Sequence, residues 1–316
     1  MFQAPKLKRN GRGFRLSNYL PSLRQLRYLV ALHELGHFGK AAEANFVTQS
    51  TLSSGIADLE RQLGVVLVER TRRSVRFTAV GDQLVERARR LVRGAEDLTE
   101  IARAAADPLT GELRFAIIPT IAPFLLAQIV PKVRADWPKL TLFVREMTSP
   151  IACEALQRGQ VDCVLLALPF ACGDVEEAEI ATDRLMLATS AADAPATVPV
   201  ATDAIDIARL LLLEDGHCLT DHTLTACGRG GPLGPAPMLC TSLHTLVQMV
   251  DQGLGLTLLP EMAVRSGILH NTGVSVYPLA NPDAARRIAL VWRRESARAP
   301  EYRLLATSIA AALPTA

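Results

Sequence analysis

The chain has 316 residues, 49% of them apolar and 21% charged, which is too long for one small core and too apolar for a disordered protein. No apolar run reaches the ~18 residues that a membrane-spanning helix needs. The first twenty residues are polar and basic, without the apolar stretch of a secretory leader, so the cytoplasm is the expected compartment. The net charge of +2 conceals an asymmetry: residues 1–106 hold 18 Lys/Arg against 10 Asp/Glu, and residues 107–316 hold 16 against 22. A basic head on an acidic body predicts a polyanion partner for the head alone.

Residues 1–21 carry Lys6, Lys8, Arg9, Arg12 and Arg15 and no acid, and read as a disordered basic arm. Ser22 is a candidate N-cap for a helix whose apolar positions Leu23, Leu26 and Val30 recur at i, i+3 and i+7, with Gly36 as its end. A short Ala-rich helix follows around Lys40 to Asn45. Thr48 then caps a third helix with Leu52, Ile56, Leu59 and Leu63 inside and Ser50, Ser54, Ala57 and Arg61 outside. The small, polar start of that outer face lets a helix settle deep in a major groove. Thr48, Gln49, Ser50, Thr51, Ser53 and Ser54 are therefore the candidate base and phosphate contacts. Val66–Val68 and Val75–Phe77 are two short strands around a basic turn. Such a wing places Arg72, Arg73 and Arg76 on phosphates or in a minor groove. Residues 22–78 thus read as an all-α winged helix-turn-helix, with double-stranded DNA as its partner.

From Ala79 to Ala106 the chain is one Pro-free helix. Leu84, Ala88, Leu91, Ala95, Leu98, Ala102 and Ala105 alternate at spacings of 4 and 3, a seam that predicts helix-on-helix pairing in a homodimer. Packing on its own domain is the alternative. A dimer matches the two-fold symmetry of a palindromic operator. Residues 107–111, Asp-Pro-Leu-Thr-Gly, break the helix and read as a hinge.

The body alternates strand and helix, with strands at Leu113–Ile118, Leu140–Glu146 and Val161–Leu166. A second set includes Leu210–Leu213, Leu256–Leu259 and Val274–Tyr277, before a strand at Ile288–Trp292 and a helix from Glu301 to Ala312. Continuous apolar runs separated by helices imply a buried parallel sheet. The expected architecture is two Rossmann-like α/β subdomains, 112–183 plus 286–316 and 184–285, joined by two crossover strands around a cleft.

Six cysteines in a chain without a visible leader do not predict a disulfide framework, and none is spaced as C-x-x-C, so no zinc site, metal or cofactor is expected. Cys153, Cys163, Cys172 and Cys240 are expected to be inert core residues. His222 is expected at the surface. Cys218 follows His217 directly, and Cys227 lies nine residues on.

The head resembles that of the LysR-type transcriptional regulators. The string Phe38-Gly39-Lys40-Ala41-Ala42-Glu43, then Thr48 to Ser53, then Leu59 to Arg70 carries the likeness. Ser50 stands where that family usually has Pro, and Gly55 where it has Gln. The body is similar to the family's effector domain and to periplasmic binding proteins. Leu213 to Leu219, Ile118-Pro119-Thr120, Leu165 to Leu168, Thr241 to Leu243 and Gly255 to Pro260 resemble the peroxide-sensing members. That likeness implies a regulator in which Cys218 reacts with hydrogen peroxide as a thiolate of lowered pKa and Cys227 resolves it to a disulfide. His217, Thr120, Ser149 (where the family has Thr) and, more weakly, Arg286 would form the peroxide pocket. The resemblance also implies a homodimer or homotetramer, contact with RNA polymerase, and resetting by a glutaredoxin- or thioredoxin-type reductant. Two other readings stay open: a LysR-type regulator with a small organic effector in the cleft and inert cysteines, and a thiol peroxidase, which would have no use for the basic head.

Overall fold

The computed structural model describes residues 20–70, 75–228 and 239–313. The basic arm, apart from its last two residues, and the wing-tip Arg72 and Arg73 lie outside the described residues. The chain divides into two compact units, residues 1–96 and residues 97–316.

In the first unit, the Ser22 hydroxyl accepts from the Gln25 amide at 3.2 Å, and the Gln25 side chain accepts from the Ser22 amide at 2.9 Å. This capping box starts α1 (Leu23–Leu35), and Gly36, at φ 59°, closes it in the left-handed conformation. The packed stripe is Leu26, Tyr28, Leu29 and Leu32. Leu23, expected inside, is exposed, because the buried face starts one turn further along. His37 Nδ1 accepts from the Gly39 and Lys40 amides and starts α2 (Phe38–Ala44). Thr48 caps α3 (Gln49–Leu63), which buries Leu52, Ile56 and Leu59, whereas Leu63 at its last position is 36% exposed. Strands β1 (Val68–Arg70) and β2 (Val75–Phe77) pair antiparallel, and Glu60 Oε1 accepts from the Leu67 and Val68 amides, fixing β1 to α3. The long helix α4 (Ala79–Ala106) sends Val85, Ala88 and Val92 into the same core. Ala88, expected on the dimer seam, is therefore used within its own domain. Leu91 and Leu98 are 59% and 68% exposed.

In the second unit the elements run β3 (Gly111–Ile117), α5 (Ala122–Asp136), β4 (Leu140–Glu146), α6 (Ser149–Arg158), β5 (Cys163–Leu168) and β6 (Val175–Ser190). They continue through single 3-10 turns to β7 (Leu212–Leu213), α7 (Cys218–Ala226), β8 (Leu239–Cys240), α8 (Leu243–Asp251), β9 (Thr257–Pro260) and α9 (Glu261–Arg265). β10 (Val274–Pro278), β11 (Ala285–Arg293) and α10 (Ala299–Ala312) complete the order.

The main sheet runs β10-β6-β11-β5-β3-β4, with β9 also on β6. β3 is parallel to β4 and β5, but β11 is antiparallel to β5 and β6, and β6 is antiparallel to β9 and β10. The expected parallel sheet is thus mixed, because the crossover strand β11 runs against β5 and the crossover strand β6 runs against β9 and β10. Two apolar cores result. One gathers Phe115, Ile117, Leu165, Leu290 and Tyr302 with Cys218. The other gathers Leu185, Leu187, Leu246, Leu258 and Leu259 with Leu219, Leu224 and Cys227. The segment expected to hinge is held by the buried Glu301, whose carboxylate accepts from the Leu109 amide and from Arg103.

Candidate functional site

Helix α7 carries both candidate cysteines. Its approach is a turn after β7 in which Gly216 takes φ 99°, a conformation that disfavours any side chain. Thr220 Oγ1 donates to Leu213 O at 2.9 Å and holds the first turn of α7 against β7. His217 is the N-cap and Cys218 the first helical residue, so the thiol sits at the positive end of the helix. Ser149 opens α6 and is buried. Its Oγ has no partner at ordinary hydrogen-bond geometry among the described residues, yet it lies close enough to Cys218 to favour the thiolate.

Arg286 joins the site together. It lies on β11, is buried, and faces Asp183 on the crossover strand β6. Its Nε donates to Asp183 Oδ2 at 3.0 Å, while its terminal nitrogens donate to Thr120 Oγ1 at 2.9 Å and Thr120 O at 3.0 Å. Thr120, just beyond β3, is thereby fixed with its hydroxyl oxygen accepting. The other Asp183 oxygen accepts from the Met262 amide at 2.9 Å, at the start of α9. The buried chain Thr120–Arg286–Asp183–Met262 therefore links the pocket to α9. By sequence Arg286 is a weak candidate for this site, and Asp183 is none. Nothing but the register Arg286↔Asp183 separates this acid from the outward-facing Glu177 and Glu179 on the same strand.

Burial pushes the Cys218 thiol up from its ordinary value. The Arg286 charge, the Ser149 hydroxyl and the Ala167 backbone pull the other way and do not overcome it. Burial thus works against the thiolate in this arrangement, and the Arg286 charge and the Ser149 hydroxyl work for it. Burial likewise pushes Cys227 up. It holds His217 below the usual imidazole range, against the opposing influence of Glu214 and Glu146, so this ring is neutral.

Four cysteines, Cys163, Cys218, Cys227 and Cys240, are buried free thiols. Cys227 is the C-cap of α7. Nine positions along a helix at ~1.5 Å each separate it from Cys218 by roughly 13 Å, against the ~7 Å that a disulfide tolerates. The two thiols also enter different cores. Pairing them requires α7 to unwind.

Two expectations are corrected here. His222 is not at the surface but buried, its Nε2 donating to Pro169 O at 3.1 Å and its Nδ1 without a partner among the described residues. Burial holds this ring, too, below the usual imidazole range. Cys153 and Cys172, expected as inert thiols, form a disulfide with a Cα–Cα distance of 5.0 Å. The fold brings α6 and the loop after β5 together in a way that 19 residues of sequence separation conceal.

On the head, Gln49, Ser50, Thr51 and Ser54 are exposed at the start of α3, and Ser53 is half-buried. Thr48 is committed to capping: its Oγ1 accepts from the Thr51 amide at 3.2 Å and shares hydrogen bonds with Ser50 Oγ and Thr51 Oγ1. Arg76 is exposed on β2. Gly55 lies where α3 meets α1, and an added Cβ would come within 2.8 Å of the Tyr28 ring. Among the described residues no helix is long and apolar enough to cross a membrane, and no cluster of three or more His, Cys, Asp or Glu could hold a metal.

Residues 23–82 match the model of the bacterial regulatory helix-turn-helix proteins of the lysR family, and residues 106–314 match the LysR substrate binding domain. The chain is 45% identical over 284 residues to the HTH-type transcriptional regulator EstR of Acinetobacter baylyi, covering 90% of this chain and 94% of that one. It is 38% identical over 297 residues to the DNA-binding transcriptional dual regulator OxyR of Escherichia coli K12, covering 92% and 95%. Among solved structures, a full-length cysteine-to-aspartate variant of OxyR from Pseudomonas aeruginosa matches with a TM-score of 0.75 at 33% identity, covering 92% of this chain and 98% of that one. A hydrogen peroxide-bound cysteine-to-serine variant of OxyR from Corynebacterium glutamicum matches with a TM-score of 0.61 at 33% identity, covering 93% of each. With a winged helix-turn-helix head and a two-subdomain α/β body matched along almost its whole length, the chain belongs to the LysR family of bacterial transcriptional regulators.

Proposed function

We propose that the protein is a DNA-binding regulator of oxidative-stress genes that senses hydrogen peroxide at Cys218 and records it as a reversible Cys218–Cys227 disulfide. The observation that carries this reading is the Cys218 thiol at the start of α7, with the Ser149 hydroxyl and the Arg286 charge both favouring its ionisation, and Arg286 itself held by Asp183 and bonded to Thr120. Likeness to peroxide-inducible activators supports it. Peroxide binds between the hydroxyls of Ser149 and Thr120. Cys218 gives its proton to solvent, the thiolate sulfur attacks one peroxide oxygen, the O–O bond breaks, and the departing hydroxide takes up a proton relayed through those hydroxyls to give water. Arg286 stabilises negative charge on sulfur as it develops. Cys227 then attacks the Cys218 sulfenic acid, expels a second water and closes the disulfide as α7 unwinds. A glutaredoxin- or thioredoxin-type dithiol resets it.

The remaining assignments complete the proposal. Residues 22–78 bind a palindromic operator through Gln49, Ser50, Thr51, Ser54 and the wing arginines. The exposed Leu91 and Leu98 of α4 pair two chains, and a dimer or tetramer in the cytoplasm engages RNA polymerase. Subdomain I comprises 112–183 plus 286–316, and subdomain II comprises 184–285. The test is a thiol-trapping peptide map of reduced protein before and after a stoichiometric pulse of peroxide. A Cys218–Cys227 disulfide that forms and is reversed by dithiothreitol is expected; free thiols at both positions would overturn the reading.

One observation favours a second reading. A cavity of about 470 Å³, lined by Leu125, Gln128, Met262 and Arg265 among others, has the size of a small-molecule site and includes Asp183 in its wall. An organic effector bound there would act on the same Arg286 pair without cysteine chemistry. A Cys218→Ser variant that still responds in cells would select it.

A further inference from the structure

The Cys153–Cys172 disulfide is placed on the two segments that hold the sensing helix. Cys153 lies one turn into α6, four residues beyond Ser149. Cys172 lies in the loop after β5, three residues beyond Pro169, whose carbonyl accepts from His222 of α7. Gln157 Nε2 of α6 donates to Cys172 O at 2.9 Å, so the loop is tied to α6 by a covalent bond and a hydrogen bond side by side. The loop's other side borders an open depression whose wall also includes Asp221 of α7. Both cysteines are buried, whereas Ala171, Gly173 and Asp174 on either side of Cys172 are exposed.

We propose that Cys153 and Cys172 are a second redox couple, distinct from Cys218 and Cys227, which exchanges with the low-molecular-weight thiol–disulfide pool and, when closed, clamps α7 in its folded position. Closure is thiol–disulfide exchange. The Cys172 thiolate attacks a small disulfide RSSR, whose S–S bond breaks, and one RS⁻ leaves and takes up a proton. The Cys153 thiolate then attacks the Cys172 sulfur of the mixed disulfide and expels the second RS⁻. Two protein thiols are oxidised, one small disulfide is reduced to two thiols, and opening is the reverse. In the closed form the loop is fixed on α6, and the Pro169 carbonyl stays in place for His222. In the open form the covalent tie between the loop and α6 is lost, and the His222 anchor of α7 loosens. The consequence for signalling rests on the peroxide reading above: the state of the small-thiol pool sets how readily α7 unwinds after Cys218 is oxidised.

The test uses the full-length protein equilibrated over a series of glutathione to glutathione disulfide ratios, acid-quenched, alkylated and peptide-mapped. A Cys153–Cys172 disulfide that titrates reversibly across the series is expected, in wild type and in Cys218→Ser alike. Thiols that stay free throughout, or a disulfide that survives the most reducing ratio, would overturn the couple. Amide hydrogen exchange of residues 218–226 then compares protein poised open and closed in the Cys218→Ser variant, in which no Cys218–Cys227 bridge can unwind α7. Severalfold faster exchange in the open form is expected; equal exchange would overturn the clamp. Neither readout involves peroxide, so the peroxide reading can fail while both succeed. The reverse also holds, since a Cys218–Cys227 disulfide can form in a protein whose second couple never titrates.

Discussion

Three nitrogens of Arg286 each have a fixed acceptor, on Asp183 and twice on Thr120. A lysine at that position has one compact ammonium and cannot span the three. Arg286→Lys is therefore expected to lose charge-assisted bonds worth about 1.5–3 kcal/mol each and to oxidise at Cys218 at least about tenfold more slowly. Rapid-quench trapping measures this. The same assay carries a pH prediction. Because burial raises the Cys218 thiol, its thiolate fraction grows about tenfold per pH unit through the neutral range, and the oxidation rate should rise with it. A plateau already reached at acidic pH would contradict the buried thiol. At the head, Gly55→Ala improves helix propensity by about 1 kcal/mol. It also drives a Cβ to within 2.8 Å of the buried Tyr28 ring. Overpacking costs about 1–3 kcal/mol, so the change is expected to lower rather than raise the melting temperature. A glycine that looks like a weakness in the sequence of α3 is thus a contact surface in the fold, and only the partner ring reveals it.

At the scale of elements, α7 concentrates the mechanism. Leu224→Ala removes a side chain buried in the second core and should destabilise the folded helix by about 2–5 kcal/mol. Unwinding is then easier. The Cys218–Cys227 disulfide should form faster after peroxide and resist dithiothreitol longer than in wild type, both measured by trapping. The elements differ in how far their sequences disclose them. The α3 cap at Thr48 and its Leu52–Ile56–Leu59 stripe follow local rules and are legible. Strand β6 runs sixteen residues, yet only its apolar half from Leu185 reads as strand, because Val175 to Arg184 carries charge on one half-exposed edge. Part of the α4 seam is also misleading by sequence. Ala88 satisfies a heptad and an own-domain contact equally well, and the winged-helix core is what takes it.

At the scale of the whole molecule, the burial of titratable groups sets a stability window. Cys163, Cys218, Cys227 and Cys240 are all raised by burial, so they hold protons more tightly folded than unfolded. Their contribution is fully present below the ordinary thiol value of ~8.5 and is lost as pH rises through the folded values. His217 and His222 are both lowered by burial. Their contribution is present above the ordinary imidazole value of ~6.5 and is lost as pH falls through the folded values. The melting temperature of the reduced protein should therefore be highest between about pH 6.5 and 8.5 and fall on both sides. An unchanged melting temperature on the alkaline side would count against four buried thiols. The basic head, the alternating body and the Cys218 neighbourhood were legible because each is carried by residues close in sequence. The Asp183–Arg286 pair and the Cys153–Cys172 bond were not, since they join residues that only the crossover strands and the α6 packing bring together.

The placement of Cys218 and Cys227 in two different cores also bears on time. Closing the bridge withdraws α7 from both cores, and re-exposing Leu219 and Leu224 alone forfeits roughly 3–6 kcal/mol. That loss persists for as long as the bridge does. Every encounter with a reductant is therefore helped by the tendency of the helix to rewind, so the oxidised state is reduced faster than a bridge that left α7 folded would be. The helix works as a clock spring, and its apolar residues set how long a pulse of oxidant is remembered.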